Sequence, residues 1–253
     1  GNLQRRSLIG LSGTPLRSDG KPLFGVPHKV VTSEDGTRSR YYDALHEVSL
    51  REAHAEGGIL KRIEAHVVDY SITMVEEDTG RQVEFTLQEL KTELEDEADV
   101  DRYFARRSLR FHDVYLETLL GPAVTRFQAK RADLSATVGS QVRSPQMLVI
   151  CMSNRHAADV LDFMKRRYSS LRCTRIGQDV PPPKRARRLE AYRRGEIDVM
   201  VQVDMIGEGT DIKTISVIAK LDLVSARSKT LQQIFRGMRY YDGWNEDANV
   251  CDV

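Results

Sequence analysis

The sequence predicts an α/β fold built on a parallel sheet with helices on both faces. Three observations predict it. Residues 147–152 (MLVICM) are a continuous apolar run, as a strand buried on both faces requires. Mostly apolar runs recur at 199–203 and 215–219, and 171–176 reads as a further strand, with segments between them long enough for helices. The first of those segments, from about 155, places Ala157, Leu161, Met164 and Tyr168 on one helical face. Ligands of such sheets sit beyond the strand C-terminal ends. Attention therefore falls on Ser153 and Asn154, on the loop after Val203, and on the last helix.

The elements follow in order. Residues 7–12 read as a short buried strand stopped by Pro15. Residues 18–40, rich in Ser, Gly, Pro and charge, read as loop. A short helix is expected over 48–56, ended by Gly57 and Gly58. Residues 62–87 alternate like paired strands with a turn at Asp78, Thr79 and Gly80. An acidic helix is expected over 88–99 and a longer one over 102–120, where Phe104, Phe111, Tyr115 and Leu119 recur at helical spacing. Another helix should follow Pro122, with a linker at 139–145. A basic helix over 184–194 ends at Gly195, and a final helix covers about 228–239.

Composition bounds the function. With 253 residues, 40% of them hydrophobic, the chain buries a core and is not disordered. No apolar run approaches the ~20 residues of a membrane helix. Residues 1–10 lack signal-peptide anatomy. Cys151, Cys173 and Cys251 form no CxxC pair, which argues against a disulfide framework or zinc ribbon and suits a reducing cytoplasm. The net charge of +1 hides a separation. Residues 165–194 carry 11 Lys/Arg against two acids, and residues 76–101 carry 11 Asp/Glu against two bases. Such a layout fits one surface for an anionic partner, or two solvated helix faces.

Three constellations carry chemistry. On an ideal helix, Arg236 and Arg239 lie at about +40° and −20° from Gln232, while Leu231, Ile234, Phe235 and Met238 fall on another face. Paired arginines keep their charge and offer rigid donor forks to phosphate oxygens. The second is the loop at 204–211 (DMIGEGTD) after a buried strand. Gly207 and Gly209 would let backbone N–H groups approach a phosphate, and Asp211 is placed to accept from a ribose hydroxyl. The third is SGTPLR at 12–17, with Ser12 and Thr14 at a strand end. Taken singly, each also reads as an ordinary basic face or polar turn.

Order and spacing add to this. The chain resembles the C-terminal part of a superfamily-two helicase or translocase of the DEAD/DEAH type, and most of all the motor subunits of restriction enzymes. LSGTPLR at 11–17 resembles motif III, and SLREAHAEGGILK at 49–61 resembles the connector that follows it in restriction-type motors. MLVICMSNRHA at 147–157 resembles motif IV, VQVDMIGEGTDI at 201–212 motif V, and LQQIFRGMR at 231–239 motif VI. The resemblance implies a RecA-like second motor domain over 141–253. It also implies a trailing strand of the first domain over 1–20, a connector over 21–61, and a β-hairpin and helical insertion over 62–140. It implies that Arg236 and Arg239 approach the β/γ-phosphates of ATP, with Arg239 the arginine finger, and that Gln232 helps place them. Gly209 and Asp211, with Gly207, would couple the nucleotide to the nucleic-acid track, and Ser12 and Thr14 would couple hydrolysis to domain movement. Ser153, Asn154 and Arg155 would lie on the nucleic-acid path. The implied partner is DNA, double-stranded, with RNA open. Phe235 stands at the usual glycine of motif VI, Val203 at a usual Thr or Ser, and Glu208 at a usual Arg.

No G-x-x-x-x-G-K-[ST] loop occurs. Asp96, Glu97, Ala98 and Asp99 spell DEAD, but in an acidic, helix-like run that follows motif III instead of preceding it. The phosphate-binding half is therefore expected to precede residue 1. ATP and Mg2+ would be held mainly there, and this chain alone is expected to be inactive. The histidines form no ligand cluster, and no metal site is expected. A second reading is a non-catalytic RecA-like scaffold.

Overall fold

In the computed structural model the described residues are 28–33, 36, 38–42, 49–86, 89, 102–103, 109–138, 142–203, 211–222 and 227–253. The motif III stretch, all but Glu89 of the acidic helix with its DEAD tetrapeptide, and most of the motif V loop lie outside them.

The first elements are β1 (His28–Thr32) and β2 (Arg38–Tyr42), an antiparallel ribbon pairing His28 with Tyr42. The sequence reads this stretch as loop. Every residue of β1 is exposed, so no buried-and-open alternation marks it. Helix α1 (Leu50–Ala55) starts with a capping box. The Ser49 N–H donates to the Glu52 carboxylate at 2.7 Å, and the Glu52 N–H donates to Ser49 Oγ at 3.1 Å. Gly57 and Gly58 follow at φ 67° and 65°, the left-handed region that glycine enters without Cβ strain.

Beyond them come β3 (Arg62–Glu64), β4 (Ile72–Glu76), β5 (Gln82–Phe85), β6 (Leu109–Phe111) and α2 (Asp113–Val138). β4 and β5 form the expected hairpin. β3 does not join it. It pairs in parallel with β11 (Val250–Asp252), the last strand of the chain. β6 corrects the helix read over 102–120. Leu109 and Phe111 are buried at period two and pair with Glu76 and Met74. The Phe111–Tyr115 spacing looks helical because the two rings do stack, at 5.4 Å, but across a strand-to-helix corner. The break expected at Pro122 is also absent, since α2 runs through it. A mid-helix proline costs about 3 kcal/mol. Leu116, Leu120, Val124 and Phe127 are each at most 1% exposed and span the proline as one stripe. At roughly 1.5–3 kcal/mol per buried side chain, burial wins.

The second half follows the sequence reading: β7 (Gln146–Cys151), α3 (Asn154–Arg167), β8 (Cys173–Ile176), α4 (Pro182–Arg193), β9 (Val199–Gln202), β10 (Ile215–Leu221) and α5 (Arg227–Ile234). The six-stranded sheet has the order β3-β11-β10-β7-β9-β8, with every pairing parallel. It is the α/β sheet covered on both faces that the apolar runs predict, and the RecA-like sheet that the resemblance implies. Alternation along the strands divides the core. Met147, Val149, Cys151, Val199 and Val201 face α2, α3 and the small β5-β4-β6 sheet. Leu148, Ile150, Met200 and Ile218 face Tyr192 and Leu189 of α4 and the segments carrying Ile212 and Cys251.

The order reverses at β7. From β7 the chain runs out to β8, returns to β9, then crosses to β10 on the other side. In open α/β sheets the crevice beyond the strand ends at such a reversal is where ligands bind. No described helix is long and apolar enough to cross a membrane.

Candidate nucleotide and nucleic-acid interface

The helix read over 228–239 is shorter than its apolar pattern suggests. α5 ends at Ile234, and the chain then tightens. Arg236, Gly237 and Met238 donate to Gln233, Ile234 and Phe235, three residues back instead of four. The helical-face argument for Gln232, Arg236 and Arg239 therefore fails beyond residue 234. There Gly237 lies so close to β11 that a Cβ would stand 2.2 Å from Cys251 Sγ.

This path fixes where the arginines lie. Gln232 and Arg236 are half-buried, and Arg239 is 46% exposed at its side chain. Leu60 and Arg239 form an antiparallel β-bridge, and the Lys61 N–H donates to the Met238 carbonyl at 2.7 Å. Arg239 Nε stands 3.4 Å from Asp211 Oδ1, so the second-last residue of the motif V stretch meets the last of motif VI. Lys213 and Asp242 repeat the contact with signs reversed, at 3.5 Å. Gly207 and Gly209, like Ser12 and Thr14, lie outside the described residues.

At the end of β7, Ser153 is fully buried, and its Oγ caps α3 by accepting from the His156 N–H at 3.1 Å. That oxygen serves the helix and faces no open surface. Asn154 begins α3 with its Oδ1 buried beside Gly177. Arg155 pairs with Glu77 of the β4–β5 turn at 2.7 Å.

The basic run is less open than its formal charge suggests. Arg166, Arg167, Arg172, Arg175, Arg193 and Arg194 all pair with carboxylates: Asp113, Glu117, Asp198, Asp179, Glu190 and Glu196. What remains on α4 includes Lys184 and Arg187, both exposed and in no ion pair among the described residues.

Sequence reasoning missed two groups. Gln233 is buried and donates to Asp222 Oδ2 at 2.7 Å, tying α5 to the end of β10. Lys61 is fully buried, although lysine is ordinarily a surface residue. One described cluster has metal-ligand types: Glu64, His66 and Asp252. Lys130 Nζ sits 2.5 Å from Asp252, and Arg126 3.6 Å, so cations already neutralise this carboxylate and a divalent ion fits poorly.

Residues 129–241 match the family described as Helicase conserved C-terminal domain. The matched stretch runs from within α2 past the end of α5 and takes in β7 to β10. The chain is similar to UvrABC system protein B of Dechloromonas aromatica (strain RCB), with 29% identity over 50% of this chain and 18% of that protein. It is also similar to UvrABC system protein B of Chlorobium chlorochromatii (strain CaD3), with 30% identity over 38% of this chain and 15% of that one. The matched segments thus span less than a fifth of those relatives. Among solved structures, S. cerevisiae Dbp5 bound to RNA and ADP BeF3 aligns at TM-score 0.32 and 16% identity, over 45% of this chain and 29% of that one.

Proposed function

We propose that this domain is the second lobe of an ATP-dependent DNA helicase or translocase. In this reading Arg239 is the arginine finger, Arg236 and Gln232 assist it, and Asp211 with Gly207 and Gly209 couples the nucleotide to the nucleic-acid track. ATP and Mg2+ are held mainly by an upstream domain of the same protein, to which Ser12 and Thr14 belong. The observation that carries the reading is the half-exposed Arg239 beside Asp211. A guanidinium kept near a surface by a replaceable carboxylate suits phosphate oxygens, which compete for the same fork of donors. Positive charge brought to a transferring phosphoryl group stabilises the charge developing there.

DNA is the proposed track, double-stranded, reached through Lys184 and Arg187 of α4 and through Asn154 and Arg155. Ser153 supports this surface from beneath as the cap of α3. The restriction-motor likeness rests on residues 49–61. Three free cysteines accord with a cytoplasmic setting.

The experiment is DNA-stimulated ATP hydrolysis by the intact protein carrying Arg239→Ala. A fall of about 10³-fold is expected. Near-normal turnover overturns the finger role, and failure of the wild-type protein to bind ATP favours the scaffold reading. The chain alone is expected to hydrolyse no ATP, and steady turnover by a clean preparation would reveal a phosphate site within it.

A further inference from the structure

Lys61 is fully buried, and no carboxylate pairs with it among the described residues. An ammonium in a protein interior is costly unless its donors are used. Here Nζ donates to the carbonyls of Lys213 at 2.5 Å and Ile215 at 2.6 Å, and lies 4.6 Å from the centre of the Trp244 ring. Burial pulls its pKa down to about 7, while carbonyl oxygens and an aromatic face both favour the charged form.

The four attachments share a geometry. Lys213 is two residues beyond Asp211. The carbonyl that accepts from the Lys61 N–H belongs to Met238, one residue before Arg239. Leu60, the residue before Lys61, bridges Arg239 itself. Trp244 is anchored by its Nε1–H donating to the Arg143 carbonyl at 2.8 Å. One residue of the connector therefore holds both strands of chain whose ends form the Arg239–Asp211 pair.

The geometry points to Lys61 as a positioning residue for Arg239: it sets the register between the segments at 211–215 and 238–239, and so the place from which the guanidinium reaches a phosphate. This rests on the reading of Arg239 as an arginine finger. Lys61 does not touch nucleotide. It acts by fixing backbone, and misplacing a catalytic group by about 1 Å can cost ~10²-fold in rate.

The test is a double-mutant cycle in the intact protein, reading DNA-stimulated ATP turnover. Lys61→Met keeps length and apolar stem and removes the donors. The expected result is a fall in kcat of about 10- to 100-fold with KM for ATP within about twofold, and a Lys61→Met, Arg239→Ala pair no slower than Arg239→Ala alone. Unchanged kcat in Lys61→Met, or losses that multiply in the pair, overturns the inference. Normal turnover of Arg239→Ala instead overturns the finger reading, a separate outcome. Should Lys61→Met not fold, Trp244→Leu, which removes the ring face and leaves the ammonium, goes through the same cycle with the same criteria.

Discussion

Arg239 Nε and Asp211 Oδ1 stand 3.4 Å apart, joining the ends of two segments that lie 28 residues apart in the chain, and each side chain is about half exposed, at 46% and 51%. Ion pairs in that setting contribute about 0–1 kcal/mol, because water and salt screen them. Neither Arg239→Ala nor Asp211→Asn should therefore destabilise the domain. Thermal melts are expected within about 2 °C of wild type, while turnover of the intact protein falls for Arg239→Ala. A drop of several degrees would mean that the arginine holds the fold and that its effect on turnover is indirect.

Gly237 gives the opposite expectation. A Cβ there would stand 2.2 Å from Cys251 Sγ, 3.1 Å from Ile218 Cδ1 and 3.2 Å from Cys251 Cβ. The first two neighbours belong to the packed face of the sheet. Gly237→Ala should cost about 1–3 kcal/mol by overpacking, seen as a melting point lower by about 3–10 °C. Adding Cys251→Ala removes the sulfur and should return most of the loss. A double variant as unstable as Gly237→Ala would place the strain elsewhere.

His156 supplies a pH dependence. It is fully buried, stacks on Phe111 at 4.1 Å, and accepts from the Met152 N–H through Nδ1 at 3.4 Å. Burial brings its pKa down from 6.5 to about 3. Below pH 6.5 the unfolded chain binds the proton and the folded one does not. The contribution is thus complete above pH 6.5 and is lost as pH falls towards 3. Asp159, one turn along α3, runs the other way. Burial lifts it from 3.8 to about 6, so its contribution is complete below pH 3.8 and is lost as pH rises through 6. His156→Asn removes the first dependence and leaves the second. Urea unfolding at pH 6.5 and at pH 4.5 should show a smaller acid loss in the variant than in wild type. Equal losses would show that His156 is not held neutral.

The fold was legible where burial is continuous. Residues 147–152 read as a central strand because both sides of β7 are covered, leaving no polar position to interrupt the run. β3 and β11 were not legible, being three residues each and defined by pairings with strands distant in the chain. The end of α5 was hidden because the periodicity of Leu231, Ile234, Phe235 and Met238 continues past the last helical residue. Three residues past that end, Gly237 lies against Cys251 of β11, a contact between residues fourteen apart that no local pattern announces. At the site, arginine spacing pointed to Arg236 and Arg239 but gave the wrong geometry for them. Lys61 left no trace, since a lysine in a sequence reads as surface until its acceptors, here main-chain carbonyls, are known.

The charge run at 165–194 makes a last prediction, on nucleic acid. Eleven bases against two acids suggest a broad cationic face. Yet six of those arginines are engaged by carboxylates, several of them from outside the run: Asp113, Glu117, Asp198 and Glu196. Arg172 is tied doubly, its Nε and Nη2 donating to the two oxygens of Asp198 at 3.0 and 2.7 Å, and its role is structural. Lys184 and Arg187, exposed and in no ion pair among the described residues, can displace counterions from a phosphate backbone. If this face meets DNA, the affinity of the intact protein should fall steeply with salt. Lys184→Ala and Arg187→Ala should each reduce the slope of log K against log salt by about 1. Arg172→Ala should lower the melting point and leave the slope unchanged. Slopes unaltered by Lys184→Ala and Arg187→Ala would move the nucleic-acid path off α4, to a surface outside the basic run.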